Sequence, residues 1–279
     1  MRHFDINSKV KRKKWLEMLL GSNWNLEPAG GSTGEAFIAH DGSQKLFLKC
    51  NSSPFLAVLS AEGIVPKLLW TKRLANGDVI TAQRYIEGRE LGSKDMQLPE
   101  VAQLLRRIHT SKELLEMLKR IENQVHSPDV LLAKLRKKAI YQQHRVAPIY
   151  QQAFAYLEQN KTNIEHENFV VCHCDLNHNN WIVENNEALF LIDWDGASVA
   201  DPALDLSIML HWYVPRATWE EWLRDYGIEL NDSLFRRMHW YITMHTLDYL
   251  LESDEDNDMN RSQWVEYLES LMVEDVFTD

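Results

Sequence analysis

Cysteine is scarce in this chain of 279 residues: Cys50, Cys172 and Cys174 are the three present. Three thiols cannot build a disulfide framework, and Cys172-x-Cys174 has neither the two-residue spacing nor the second pair of a zinc site. Reduced thiols in a cytoplasmic protein are the expectation. Long apolar runs are also missing. No stretch approaches the roughly 20 apolar residues that a membrane helix requires, and the first residues lack the apolar core of a signal peptide. Basic residues are outnumbered, 30 against 41 acidic, for a formal net charge of -11. Such a surface repels nucleic acid and anionic membranes, which excludes general binding to either. Internal repeats are absent as well.

What is present suffices for a large core, since 45% of the residues are hydrophobic and the chain is long enough for one large domain or two lobes. The only dense basic cluster is Lys9, Lys11, Arg12, Lys13 and Lys14. Beside Trp15, Leu16 and Leu19 it reads as the solvated face of a helix, with a polyanion or partner contact as the alternative.

The element pattern changes along the chain. From about Leu26 to Glu87 it is strand-like, with AGGSTGEAFIAH (29–40), a turn at Asp41-Gly42, and the apolar strand from Lys45 to Lys49. A short helix at 54–62 and strands at 67–72 and 79–85 follow, the last two flanking the Asn76-Gly77 turn. From Pro99 helical spacing takes over: Val101, Leu104, Leu105 and Ile108 recur at three and four residues, as one buried stripe does. Further helices are expected over 112–124, 128–143 and 147–160, and from near Asp205, Thr218, Asp232 and Ser262. The partition expected is a β-rich lobe over 1–87 and a mainly helical lobe over 88–279.

The chemistry concentrates between those helices. His173, Asp175 and Asn180 form an H-x-D-x-x-x-x-N loop, and Asp193 follows thirteen residues later in Leu-Ile-Asp-Trp-Asp. Apolar residues precede the loop at 169–171 and leave it at 181–183, and a turn at 184–187 leads to a second apolar run at 188–192. Two short strands joined by that turn would set Asn180 and Asp193 on one rim. Transfer of a phosphoryl group needs one carboxylate to take the proton of the accepting hydroxyl, plus oxygen ligands for magnesium. Asp175 fits the first task; Asn180 and Asp193 fit the second. Singly, these are ordinary turn and cap residues; their conjunction with flanking apolar runs is not.

The glycine-containing hairpin fits the same chemistry. Gly31, Ser32, Thr33 and Gly34 would let backbone N–H groups approach phosphate oxygens without a Cβ in the way. Lys49, at the end of the next strand, would neutralise phosphate charge, and Glu62 would pair with Lys49 and hold it forward. His173, Asp175 and His178 superficially suggest a metal hydrolase, but the strand context and Lys49 favour a kinase. His109 ends an apolar helix and reads as a packed or capping residue. Asp254, Asp256 and Asp258 imitate the start of a calcium loop without its glycine or final glutamate.

Together these features resemble the aminoglycoside phosphotransferase and choline/ethanolamine kinase group. The resemblance runs through His173-x-Asp175-x-x-x-x-Asn180, Asp193-Trp194-Asp195 and Asp201-Pro202-Ala203-x-Asp205-Leu206. VCHCDLNHNNW, LIDWDGA and SAEGIVPKLLW are more narrowly similar to the CcrZ (YtmP-type) kinases of Gram-positive bacteria. The resemblance implies a two-lobed, protein-kinase-like α+β fold, with ATP and Mg as cofactors. It implies Asp175 as catalytic base, Asn180 and Asp193 as magnesium ligands, and Lys49 on the nucleotide phosphates. His173 would brace the loop, Asp205 would hydrogen-bond it, and Asp195 would be an auxiliary metal or substrate contact. Two departures stand out: Cys174 occupies a position where glycine is common, and the hairpin lacks full G-x-G-x-x-G spacing.

For the acceptor, Trp212, Trp240, Tyr241, Asp248 and Glu252 on the carboxy-terminal helices combine aromatic faces with acid, suited to a cation such as choline or to a sugar. The narrower resemblance implies a ribose-like or nucleoside-like small-molecule hydroxyl substrate, choline or ethanolamine being the alternative. It also implies a link to cell-cycle control through a cell-division protein partner, so a regulatory binding protein on a kinase-like fold is the reading from another class.

Overall fold

The computed structural model describes residues 13, 16–29, 36–122, 125–141, 147–164, 166–185, 187–252 and 261–273. Gly31, Ser32, Thr33 and Gly34 lie outside the described residues, as do most of the basic cluster and Asp254, Asp256 and Asp258. The chain divides into two compact units. One comprises residues 1–90 together with Trp181–Asp195, and the other comprises Leu91–Asn180 with Gly196–Asp279. The first is rich in β-structure and the second mainly helical, a two-lobed α+β fold.

The first unit is built on an antiparallel sheet in the order β1-β2-β3-β5-β4. Its strands are β1 (Asn25–Pro28), β2 (Ala36–His40), β3 (Lys45–Cys50), β4 (Leu68–Arg73) and β5 (Val79–Arg84). Period-two alternation explains which face is covered. Leu46, Leu48 and Cys50 join Leu16, Leu26, Phe37, Ala39, Ile80 and Ala82 in one apolar cluster, and burying each large aliphatic chain contributes about 1.5–3 kcal/mol. Lys49 therefore points to the other face. The β2–β3 turn is set by Asp41, whose Oδ1 accepts from the Ser43 and Gln44 N–H groups at 2.8 Å, while Gly42 takes φ +90.

Helix α1 (Phe55–Ala61) follows β3. A second, three-stranded sheet in the same unit has the order β6-β8-β9, from β6 (Gly88–Glu90), β8 (Trp181–Glu184) and β9 (Leu189–Leu191). Gly88 faces Glu184 across that sheet, and a Cβ placed there would lie 2.1 Å from the Val183 carbonyl oxygen. Because that atom is backbone, the clash cannot be relieved by a rotamer change. Gly88→Ala is expected to lower stability by about 1–3 kcal/mol, read as a lower denaturant midpoint.

In the second unit, α2 (Pro99–Thr110) starts with Pro99 in its first turn and buries Val101, Leu104, Leu105 and Ile108. Proline suits that place because the first-turn N–H has no helical partner. Ser111 ends α2 and caps α3 (Lys112–Ile121), its side chain accepting from the Leu114 N–H. Helices α4 (Pro128–Tyr141) and α5 (Pro148–Asn160) precede a two-stranded antiparallel pair, β7 (Val170–Cys172) with β10 (Ser198–Ala200).

Helix α6 (Ala203–Trp212) is buried on every side from Ala203 to Leu210, with Asp205 and Ser207 among its buried residues. It packs against α8 (Asp232–Glu252). Helix α7 (Trp219–Tyr226) ends at Gly227, in the left-handed region, with Arg106 Nη1 donating to the Tyr226 and Gly227 carbonyls at 2.8 Å. Helix α9 (Arg261–Val273) packs on α8 and α5. Among the described residues no helix is long and apolar enough to cross a membrane.

Candidate active site

In the helical unit, the loop from His173 to Asn180 leaves β7 and is fastened from below by Asp205, in the first turn of α6. Asp205 Oδ2 accepts from the His173 backbone N–H at 2.8 Å, and Oδ1 accepts from that of Cys174 at 2.9 Å. His109 Nε2 lies 3.1 Å from Oδ2, and its Nδ1 lies 2.7 Å from the Tyr226 hydroxyl. With Nε2–H donating to the carboxylate, Nδ1 accepts from the phenol. Burial opposes ionisation of Asp205, but the hydrogen bond from His109, with the His173 N–H, holds its carboxyl below the usual range.

Cys172, also nearby, gives its thiol to the Asp201 carbonyl at 3.4 Å. Burial pushes that thiol's pKa well up. His109, Cys172 and Asp205 come within 4.8 Å of one another, but their ligand atoms already serve this hydrogen-bond network, and a protonated thiol is a poor metal ligand.

Removing Asp205 would orphan the N–H groups of His173 and Cys174 and one imidazole. Asp205→Ala is therefore expected to cost about 3–5 kcal/mol of stability, since each buried donor left unsatisfied costs about 1–3 kcal/mol. Chemical denaturation of the purified variant measures this.

Cys174 carries φ +67. That left-handed conformation costs an L-residue roughly 1–2 kcal/mol, which accounts for glycine being common there in the group that the sequence resembles. The bond from its N–H to Asp205 holds the strained residue in place. One residue on, the Asp175 N–H donates to His173 Nδ1 at 3.3 Å, which orients the fully buried imidazole beneath the loop. The Asp175 side chain is exposed. Asn180 Nδ2 donates to the Asp175 carbonyl at 3.0 Å and to Oδ2 at 3.3 Å. The amide oxygen of Asn180 is then the atom left to meet a cation.

In the β-rich unit, Lys49 Nζ donates to Asp193 Oδ1 at 2.8 Å and to Asp195 Oδ2 at 2.9 Å. Burial pulls the lysine pKa down, but the two carboxylates outweigh it and hold the ammonium charged. The side chain of Lys49 is 20% exposed, and those of Asp193 and Asp195 are 51% and 59% exposed. The acids thus hold a cation while staying open to solvent. Asp193 itself takes φ +62. It is placed by Trp194, whose Nε1 donates to the Leu191 carbonyl at 2.8 Å and whose ring meets Phe55 of α1 edge-on at 5.9 Å.

The structure corrects four expectations. Lys49 pairs with the two aspartates and not with Glu62, which caps the carboxy-terminal end of α1. Aspartates at 144 and 146 residues' separation were invisible as partners, whereas Glu62 lay close in sequence. Trp240 and Tyr241 are fully buried in α8, and Trp240 Nε1 donates to the Leu157 carbonyl at 2.9 Å. They serve the helical core, so neither offers a ring face to an acceptor. Trp212, the last residue of α6, packs edge-on to Trp264 at 5.4 Å. Asp248 and Glu252 are both taken by Lys138, Glu252 at 2.8 Å.

Tyr213 was not singled out by the sequence. Its hydroxyl accepts from the His178 N–H at 3.3 Å; a tyrosine just past a helix end carries no signal that would reveal this.

Solved structures share the whole fold. A choline/ethanolamine kinase family protein from Mesorhizobium loti matches with a TM-score of 0.68 at 18% identity, covering 96% of each chain. Choline kinase LicA from Streptococcus pneumoniae matches at 0.67 and 18%, covering 94% of this chain and 98% of its own. The aminoglycoside phosphotransferase APH(2")-IIIa matches at 0.67 and 16%, over 95% and 99%. The model of the phosphotransferase enzyme family matches residues 28–241. This chain therefore belongs to that family and is a phosphotransferase.

Proposed function

We propose that the chain is an ATP- and Mg-dependent kinase that phosphorylates a hydroxyl of a small molecule. The observation that carries this reading is the Asp175–Asn180 loop: an exposed carboxylate, braced by an amide, on a backbone that Asp205 clamps. Asp175 would take the proton of the acceptor hydroxyl. Asn180 and Asp193 would hold magnesium, and Lys49 would meet the nucleotide phosphates, with Gly31 to Gly34 covering them and Asp195 as an auxiliary contact. The donor set fits a hard cation that prefers oxygen: the Asn180 amide presents its oxygen once Nδ2 is engaged, and Asp193 already faces a cation. Bound there, magnesium would neutralise the charge that develops on the transferred group. Three free cysteines suit a cytoplasmic, reducing setting.

The acceptor proposed is a neutral polyhydroxyl compound, ribose-like or nucleoside-like, in keeping with the narrower resemblance to CcrZ (YtmP-type) kinases. The carboxylates and rings considered for an acceptor are engaged elsewhere: Asp248 and Glu252 pair with Lys138, and Trp240 and Tyr241 are buried. Choline or ethanolamine is the second reading, favoured by the likeness in fold to the two choline-kinase structures.

ADP or GDP release should be followed with magnesium and ATP or GTP as the donor, since the similar structures include complexes with AMP and with GDP. The acceptors are D-ribose, deoxyribose, nucleosides, choline, ethanolamine and kanamycin. Stimulation by a pentose or nucleoside is expected; stimulation by choline or ethanolamine alone would replace the first acceptor by the second, and silence throughout would sink the kinase reading.

A further inference from the structure

The loop that carries Asp175 has another anchor besides Asp205. Tyr213 caps the end of α6, where its carbonyl accepts from Gln97 Nε2 at 3.0 Å. Its hydroxyl lies 3.3 Å from the backbone nitrogen of His178 and 3.4 Å from Nδ1 of the same residue, and the two rings meet edge-on at 5.9 Å.

A phenol has one proton and can accept with its oxygen. The His178 N–H fills one acceptor position, and the phenol's proton is then free to go to Nδ1. A neutral imidazole whose Nδ1 accepts must carry its proton on Nε2. Nε2 of the half-buried His178 has no hydrogen-bond partner among the described residues. An oriented N–H donor thus stands unspent three residues from Asp175, on the same clamped loop. The order of the loop beyond it is fixed by Asn177, which accepts from the Asn179 N–H through its side chain and from the Asn180 N–H through its carbonyl.

We infer that His178, fixed by Tyr213 as its Nε2–H tautomer, donates a hydrogen bond to a second oxygen of the acceptor whose hydroxyl Asp175 deprotonates. This deepens the proposed kinase reading and rests on it. His178 is then a specificity-determining contact, and Tyr213 is a positioning residue that acts through it. An acceptor with vicinal hydroxyls can use the donor; choline, with one hydroxyl and a quaternary ammonium, cannot. Burial, and the neighbouring charge of Asp175, push the Tyr213 phenol pKa up, which keeps its proton in place at neutral pH.

The test combines two readouts on the full chain. Nitrogen-15 NMR of the imidazoles, with His178 assigned by the signal lost in His178→Ala, reports the tautomer in the native protein and in Tyr213→Phe, which keeps the ring contact. Kinetics with D-ribose at saturating MgATP report KM and kcat for both variants. The expected result is an Nε2–H tautomer that becomes mixed in Tyr213→Phe. KM for D-ribose should rise about fivefold to tenfold in His178→Ala, the worth of one hydrogen bond, and kcat should change much less. A native Nδ1–H tautomer, or one unchanged in Tyr213→Phe, would overturn the anchoring. A normal D-ribose KM in His178→Ala, or native turnover of choline with none of D-ribose, would overturn the acceptor contact. Native silence with every acceptor would be the failure of the kinase reading itself, which the tautomer measurement does not share.

Discussion

Asp175→Asn is expected to lower kcat by about a hundredfold to ten-thousandfold, the contribution of a positioned general base. The amide cannot take the proton of the accepting hydroxyl, yet it keeps an oxygen where Asn180 Nδ2 donates. The backbone bond to His173 Nδ1 does not involve the altered atoms, and the side chain is exposed. Stability should therefore change by no more than about 0.5 kcal/mol. Single-turnover phosphoryl transfer, compared with a denaturation curve of the same preparation, separates the two effects. Retained turnover in the purified variant would remove Asp175 from the role of base.

The second large effect is acid lability. Three histidines are packed into the helical unit with Nε2 sealed from solvent: His211, His239 and His245. Burial, aided by the charge of Arg216, pushes the pKa of His211 down to about 3. Burial pushes His239 and His245 down to about 4. Their neutral forms are also engaged, His211 Nδ1 with the Tyr267 hydroxyl at 3.1 Å and His239 Nδ1 with that of Tyr156 at 2.7 Å.

The direction follows from linkage. Above pH 6.5, the ordinary value, both folded and unfolded forms are neutral and nothing is lost. Below it the unfolded chain takes up protons that the folded chain refuses, so stability falls as pH drops towards 4. Each histidine contributes about 1.4 kcal/mol per pH unit, so the three together give about 4. Against a total stability of roughly 5–15 kcal/mol, unfolding should come before pH 4. Circular dichroism between pH 7 and pH 4 measures this, and replacing His245 by Gln should flatten the slope by about one proton. A midpoint unmoved between pH 6.5 and pH 4.5 would refute the account.

Much of the local structure was legible from the chain alone. Leu46, Leu48 and Cys50 alternate because a pleated strand alternates, so Lys49 had to face away from the apolar cluster. The stripe Val101, Leu104, Leu105 and Ile108 predicted the buried face of α2 for the corresponding reason at helical period. Turns at Asp41-Gly42 and Asn76-Gly77 were readable because the chemistry that makes them is local. Strand β6 and strand β10, three residues each, were not read, since segments so short carry no period; their partners lie about 95 and 28 residues away.

The candidate site divides in the same way. Spacing and residue type alone pointed to Asp175, Asn180, Asp193 and Lys49 as the proposed reactive groups. Which groups they touch was decided by folding. Glu62 looked like the partner of Lys49, but the return of the chain at Asp193 and Asp195 supplies two carboxylates that Glu62 would have to displace. Trp240 and Tyr241 looked like a binding surface because aromatic residues serve a pocket or a core equally well, and only packing against α5 tells which.

The amino-acid sequence by itself determined most of the elements, the candidate reactive side chains and the family pattern, because each rests on neighbours within a few residues. The tertiary structure alone decided that 181–195 belongs with residues 1–90, that Asp205 clamps the loop, and that the Tyr213 hydroxyl meets His178. Those contacts join residues 30 to more than 90 positions apart, and the hydrogen bonds and burial that select them exist only once the chain has closed over its core.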